Sequence, residues 1–179
     1  MTAIHDAGTR AAQSRIVTWR DPSATLAASG SMSGLSYWRA VVDGHLPPPP
    51  IAELLQMNVV EAQDGRVTFT CTPDASMYNP LGVVHGGAVC TLLDTATGCA
   101  LHTTLPAGVS YTSVEIKVNY LNAVTVDSGT LTAVGTVVKA GSRIGFAEAT
   151  VTDAAGKLVA TATSTLLIFG VRGTNGHRS

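Results

Sequence analysis

Charge is scarce in this chain: only 13% of its 179 residues are charged, against 45% hydrophobic, and the net charge is −1. Eleven Lys and Arg are scattered singly along the whole length, so the chain has no basic patch and nucleic acid is excluded as a partner. Long apolar runs are missing as well. None approaches the roughly 20 residues that span a bilayer, and the first thirty residues lack the continuous apolar core of a signal peptide. The expectation is a cytoplasmic protein with no membrane partner. Cysteine is sparse: Cys71, Cys90 and Cys99 make an odd number, with no CxxC and no Cys/His spacing suited to zinc. They read as reduced, buried thiols, and neither a disulfide framework, a metal nor a cofactor is implied. So little polar surface points instead to burial against further copies of the same chain.

What is present divides the chain into three stretches. Residues 1–50 read as an N-terminal extension. Its arm, to about residue 30, shows no sustained periodicity and is expected to be loosely held, with Ile16-Val17-Thr18-Trp19 making at most a short extended contact. Ser33 then stands as an N-cap before a short amphipathic helix, Gly34 to Val42, in which Leu35, Trp38, Val41 and Val42 recur at helical spacing. Four consecutive prolines, Pro47 to Pro50, form a stiff extended spacer, and Pro50 suits the first position of one further helical turn. Residues 51–170 carry the main domain. Two β-branched runs flank Asp64-Gly65, a strong hairpin signal. A single long helix is predicted from Gly86 to Thr104, with Val89, Leu92, Leu93, Ala96, Ala100 and Leu101 on one apolar face. Four alternating strand candidates follow, Tyr111 to Leu121, Thr130 to Lys139, Arg143 to Asp153 and Lys157 to Phe169. Short turns between the last three predict antiparallel neighbours. The layout is α+β, with the helix lying on one face of an antiparallel sheet. Residues 171–179 form a polar tail.

Chemistry concentrates at the start of the long helix. Gly86 and Gly87 at a helix mouth leave its first amides uncovered, ready to receive a polarised oxygen. Asn79 and His85 precede them, and Asp94 follows inside the helix. Each has a bland reading. Gly pairs permit tight turns, Asn79 before Pro80 suits a turn, a lone His is usually structural, and a helical Asp usually sits on the solvated stripe. Against the bland reading of Asp94 stands its neighbourhood. From Ala88 to Thr104 the ionisable side chains are Asp94, His102 and two thiols, so the helix is covered on most sides and a carboxylate there needs a function.

Helix geometry then separates the parts. Asp94 lies eight positions after Gly86, which at a rise of ~1.5 Å is about 12 Å along the axis. That is too far for the carboxylate to direct a water onto a carbonyl held at the same helix mouth. Two copies of the helix running antiparallel across a two-fold axis would bring Asp94 of one subunit near Gly86 of the other, giving two equivalent sites.

The run Asn79-x-x-Gly82-x-x-His85-Gly86-Gly87, then Leu92-Leu93-Asp94, then Ser113-Val114-Glu115-Ile116-Lys117-Val118-Asn119-Tyr120 resembles the hotdog-fold acyl-CoA thioesterases of the phenylacetate-pathway, PaaI-type group. The resemblance covers roughly Ile51 to Phe169. It implies a hotdog fold, an antiparallel sheet wrapped around one long central helix, here with an N-terminal helical extension. It also implies a homodimer or a dimer of dimers, with the site at the subunit interface. The activity implied is hydrolysis of an acyl-CoA thioester to the free acid and coenzyme A. The Gly86 amide would polarise the carbonyl, and Asp94 of the other subunit would act as general base or nucleophile. Asn79 and His85 match positions that hold the water or shape the turn, and Ser113 one that orients the Asp or the water. Val84 and Gly87 fall within the substrate-binding turn, and Lys139 and Arg143 in a hairpin that in relatives meets the phosphates of coenzyme A.

Two rival readings keep the fold. A hotdog hydratase or dehydratase pairs a carboxylate with a His one or two helical turns on, but here Gly98 and Cys99 occupy that place and His102 lies farther along. A non-catalytic acyl-CoA-binding module would bind without releasing thiol, and the retained Asp94 is unexpected in it.

Overall fold

A computed structural model describes residues 12–170 of the chain. The hairpin is built from β1 (Met57–Gln63) and β2 (Arg66–Cys71), with Gly65 at φ +70°, a left-handed conformation that glycine adopts without a Cβ clash. The long helix, α4 (Gly86–Thr103), precedes β3 (Val109–Tyr120), β4 (Leu131–Ala140), β5 (Ile144–Thr152) and β6 (Leu158–Gly170). These strands make one antiparallel six-stranded sheet in the order β1-β2-β4-β5-β6-β3. The adjacency of the last three strands is as the short turns predict. Strand β3 crosses to the far edge and pairs with β6, a long-range choice that leaves no local mark in the sequence.

The sheet closes around α4, which touches all six strands. Every residue of the predicted apolar face is buried, with Leu93, Ala96, Ala100 and Leu101 fully inaccessible; each buried Leu contributes about 1.5–3 kcal/mol. Helix and sheet approach so closely that a Cβ at Gly135 of β4 would overlap the Ala96 carbonyl. Cys71 and Cys99 are buried and Cys90 is half-buried, all three as free thiols. Among the described residues no helix is long and apolar enough to cross a membrane.

The N-terminal stretch departs from the expectation of a loose arm. Residues Ser23–Ser31 form a helix, α1. Its sequence, SATLAASGS, has no apolar stripe, so periodicity could not reveal it. Ile16 and Trp19 make no extended contact and are largely exposed. Helix α2 (Gly34–Val42) is capped as predicted, the Ser33 hydroxyl oxygen accepting from the Ser36 N–H, and α3 (Pro50–Leu54) starts at Pro50. Helix α2 is docked into the main core. Tyr37, Trp38 and Val41 belong to the same buried cluster as α4, the Gly34 N–H donates to the Leu105 carbonyl (3.0 Å), and Trp38 Nε1 donates to His102 Nδ1 (3.1 Å). At the other end, Gly170 closes β6; the polar tail, 171–179, and the first part of the arm, 1–11, lie outside the described residues.

Candidate active site

The turn before α4 is held by its own side chains. Asn79 Oδ1 accepts from the N–H groups of Leu81 (2.9 Å) and Val83 (3.4 Å), so its amide oxygen shapes the Gly82 turn. His85 is the helix N-cap: its Nδ1 accepts from the Gly87 N–H at 2.8 Å. The Ala88 N–H goes to the His85 carbonyl (2.9 Å). Of the amides of Gly86, Gly87 and Ala88, one remains uncovered. The Gly86 N–H makes no hydrogen bond among the described residues, whereas the Gly87 N–H is already engaged by His85.

Gly86 is also where the end of β3 meets the helix mouth. The Tyr120 hydroxyl donates to the Gly86 carbonyl at 2.9 Å, and a Cβ on Gly86 would stand 3.1 Å from the Tyr120 ring. Val84 is buried beside it, its N–H donating to Val124 (2.8 Å). Together Asn79, Val84, Gly86 and Tyr120 border a cavity of about 260 Å³. Tyr120 was not singled out from sequence; its place at the end of the Ser113-to-Tyr120 strand was the available signal.

Asp94 sits about two turns along α4, half-buried, where β3 runs beside the helix. The Ser113 hydroxyl donates to its Oδ1 at 2.7 Å. That bond fixes one carboxylate oxygen and leaves the other free to accept. No Lys or Arg pairs with Asp94 among the described residues. Asp94 and Ser113 line a cavity of about 570 Å³ that Gly86 does not border. The two halves of the predicted chemistry therefore open into different spaces within one chain, in agreement with the helix arithmetic.

The thiols, phenol and imidazole around Asp94 are shifted towards their neutral forms. Burial, with the Asp94 charge adding to it, pushes the Cys90 and Cys99 thiols up, and a thiol so shifted supplies little thiolate at neutral pH. Burial likewise pushes the Tyr111 phenol up, helped by the adjacent Cys99. His102, buried, is pushed down, and its Nδ1 is spent on Trp38 rather than on Asp94. Asp94 is the one carboxylate among the residues that line this cavity. Among the described residues no three His, Cys, Asp or Glu side chains are grouped to hold a metal ion.

Lys139 and Arg143 are exposed, on either side of the β4–β5 turn. This turn lies by the C-terminal end of α4, where Gly145 packs on Leu101 and the Gly65 N–H donates to the Thr103 hydroxyl (2.8 Å). Gly86 and Thr103 are the two ends of the helix, about 25 Å apart at its standard rise. The fold does not bring these cations to the Gly86 mouth of their own chain.

Residues 81–160 match the sequence profile of the thioesterase superfamily. A protein of Halobacterium salinarum named as a candidate esterase is 31% identical over 117 residues, covering 63% of this chain and 76% of that one. Among solved structures, a phenylacetic acid degradation-related protein of Ralstonia eutropha, described as a candidate thioesterase, superposes with a TM-score of 0.67 at 26% identity. The overlap covers 73% of this chain and 98% of that one. A Streptococcus mutans protein bound to acetyl-CoA gives a TM-score of 0.59 at 29% identity, over 65% of this chain and 91% of its own.

Proposed function

The chain belongs to the thioesterase superfamily and has its hotdog fold, and from that premise we propose that it hydrolyses an acyl-CoA thioester to the free acid and coenzyme A, at a site completed by two subunits. The observation that carries the reading is Asp94, cation-free in a cavity wall with its Oδ1 pinned by Ser113, about 12 Å along the helix from the unpaired Gly86 amide. Two α4 helices antiparallel across a two-fold axis supply both halves to each site. The outer edge of β3 is unpaired in the sheet and exposes Val114 and Tyr120, which supports edge-to-edge pairing of two copies, as a dimer or within a dimer of dimers. The Streptococcus mutans protein bound to acetyl-CoA supports a coenzyme A thioester as the substrate type, with Lys139 and Arg143 as the exposed cations for its phosphates.

The thioester carbonyl oxygen accepts from the Gly86 N–H, and the N-terminal end of α4 stabilises the charge that grows on it. Loss of one such donor typically costs roughly 2.7–4 kcal/mol. Asp94 of the partner subunit takes a proton from a water whose oxygen attacks the carbonyl carbon. The intermediate collapses with cleavage of the C–S bond, and the proton passes to the departing sulfur. Direct attack by the carboxylate, giving a mixed anhydride that water then opens, uses the same placement. Proton transfer at carbon is disfavoured, since His102 is paired with Trp38 and makes no His–carboxylate pair with Asp94.

The test is release of free thiol from acyl-CoA substrates by the wild type and by Asp94→Asn. The variant is expected to keep its oligomeric state in sedimentation and to lose most turnover. Near-normal turnover would reject the role of Asp94, and a fully active single-subunit species would reject the two-chain site.

A further inference from the structure

The cavity beside Asp94 has walls that the thioesterase profile does not reach. Its inner side comes from α4 and β3, through Cys99, His102 and Tyr111. Its outer side comes from the N-terminal stretch: Thr25, Leu26 and Ser29 of α1, Tyr37 and Trp38 of α2, and the Pro49-Pro50-Ile51 corner. The profile begins at residue 81, so α1 lies wholly outside it. The helix is held at both ends. Upstream, the Arg15 guanidinium donates to the Leu54 carbonyl (2.8 Å) and pairs with Asp74 (3.5 Å); downstream, Gly34 is bonded to Leu105. Between these anchors Leu26 and Ser29 line this cavity, and with Tyr111 they also border a second space of about 540 Å³.

Several polar atoms of this wall are already engaged. Trp38 Nε1 is given to His102, the Thr25 hydroxyl to the Pro22 carbonyl (2.7 Å), and Asp94 Oδ1 to Ser113. No buried side-chain nitrogen or oxygen among the described residues lacks a partner. No Lys or Arg lines the cavity, and its one imidazole is kept uncharged by burial. An anionic group placed there would lose its hydration and meet only the Asp94 carboxylate, a costly combination.

Resting on the thioesterase reading, we propose that α1 is the outer wall of an acyl chamber that opens from Asp94 and Ser113, so that the enzyme takes thioesters with an uncharged acyl group whose length is limited by Leu26 and Ser29. The chamber end near Asp94 receives the carbonyl side of the acyl chain, and the chain runs along Tyr37 and Tyr111 beneath α1. Specificity then comes from a segment added outside the catalytic fold.

The full-length protein is assayed for thiol release from acetyl-, butyryl-, octanoyl- and succinyl-CoA, and the dissociation constants of the same four compounds are measured with Asp94→Asn. Butyryl-CoA is expected to exceed succinyl-CoA in kcat/KM by about a hundredfold, because the chamber excludes the second carboxylate. Ser29→Trp is expected to lower the octanoyl-to-acetyl ratio of kcat/KM by about tenfold, and Leu26→Ala to raise it. Ser29→Arg is expected to move the succinyl-to-butyryl ratio up by about tenfold, by supplying the missing cation. Leu26→Ala reads in the opposite direction from Ser29→Trp, so a folding failure of the larger variant does not decide the outcome. Thiol release with ratios unmoved by all three α1 variants overturns the inference and leaves the hydrolase reading intact. Dissociation constants that follow the α1 variants without any thiol release uphold the chamber and overturn the hydrolase reading. Ratios and dissociation constants that are both unmoved overturn the chamber.

Discussion

Replacing Trp38 with Phe tests how the N-terminal extension is joined to the catalytic fold. Trp38 is 5% exposed and His102 6% exposed, and the indole N–H to His102 Nδ1 bond (3.1 Å) is buried between α2 and α4. Phe retains an aromatic ring against Phe69, now edge-on with centroids 5.7 Å apart, but leaves Nδ1 without a donor. Stranding a buried acceptor costs about 1–3 kcal/mol, so the variant should lose that much stability near pH 7.5. The loss should shrink on acidification. Burial pushes His102 below its ordinary value, so between the unfolded and the folded pKa the unfolded chain binds more protons. The contribution of His102 is therefore present above the unfolded value of about 6.5 and is lost as pH falls, by at most about 1.36 kcal/mol per pH unit for one proton. Protonating Nδ1 breaks the Trp38 bond in the wild type but costs no such bond in the variant. The wild type accordingly falls faster, and the gap narrows as pH drops below the unfolded value of His102. Urea unfolding at matched protein concentration, at several pH values, measures the difference. A gap below about 0.5 kcal/mol at neutral pH, or one that widens in acid, would refute the reasoning.

Other substitutions probe the site and its supports. Ser113→Ala frees Asp94 Oδ1; a positioning role predicts a kcat lower by about tenfold with KM little changed, and a raised KM alone would argue against it. Gly98→Ala drives a Cβ to 2.7 Å from the Tyr111 ring, so about 1–3 kcal/mol of overpacking is expected in thermal or urea unfolding, relieved by a smaller residue at position 111. His85→Ala removes the N-cap from Gly87 and should cost about 1 kcal/mol; an unchanged urea midpoint would reject the cap. In the folded protein at neutral pH, a thiol reagent should react with Cys90 before Cys71, which burial pushes up to about 11, and before the buried Cys99; the reverse order by peptide mapping would contradict the burial pattern.

The elements that were legible in the sequence are those whose signal is local. Asp64-Gly65 specifies its hairpin because only a residue without a Cβ adopts the left-handed turn at no cost, and Gly65 has that φ. The period of α4 is written in Val89, Leu92, Leu93 and Ala96, and all four are buried. Asp94 stands out because the helix around it has so few charges. By contrast, α1 carries a lone Leu26 among Ala, Ser, Thr and Gly, with no helical stripe, so the sequence shows neither that it is a helix nor that it borders the Asp94 cavity.

The helix mouth shows the same division at the scale of single atoms. Sequence alone places two glycines and a His at the start of an apolar helix, and helix rise alone separates Gly86 from Asp94 by about 12 Å. Which amide stays free was decided by the folded turn, in which His85 Nδ1 bends back to the Gly87 N–H and leaves that of Gly86. Ser113 reaches Asp94, and Tyr120 reaches Gly86, because β3 crosses to the far edge of the sheet and lies along α4. Local spacing determines a helix, its caps and the distance along it. The partners that meet across a sheet are fixed by long-range strand pairing and burial, which have no period to read in the chain.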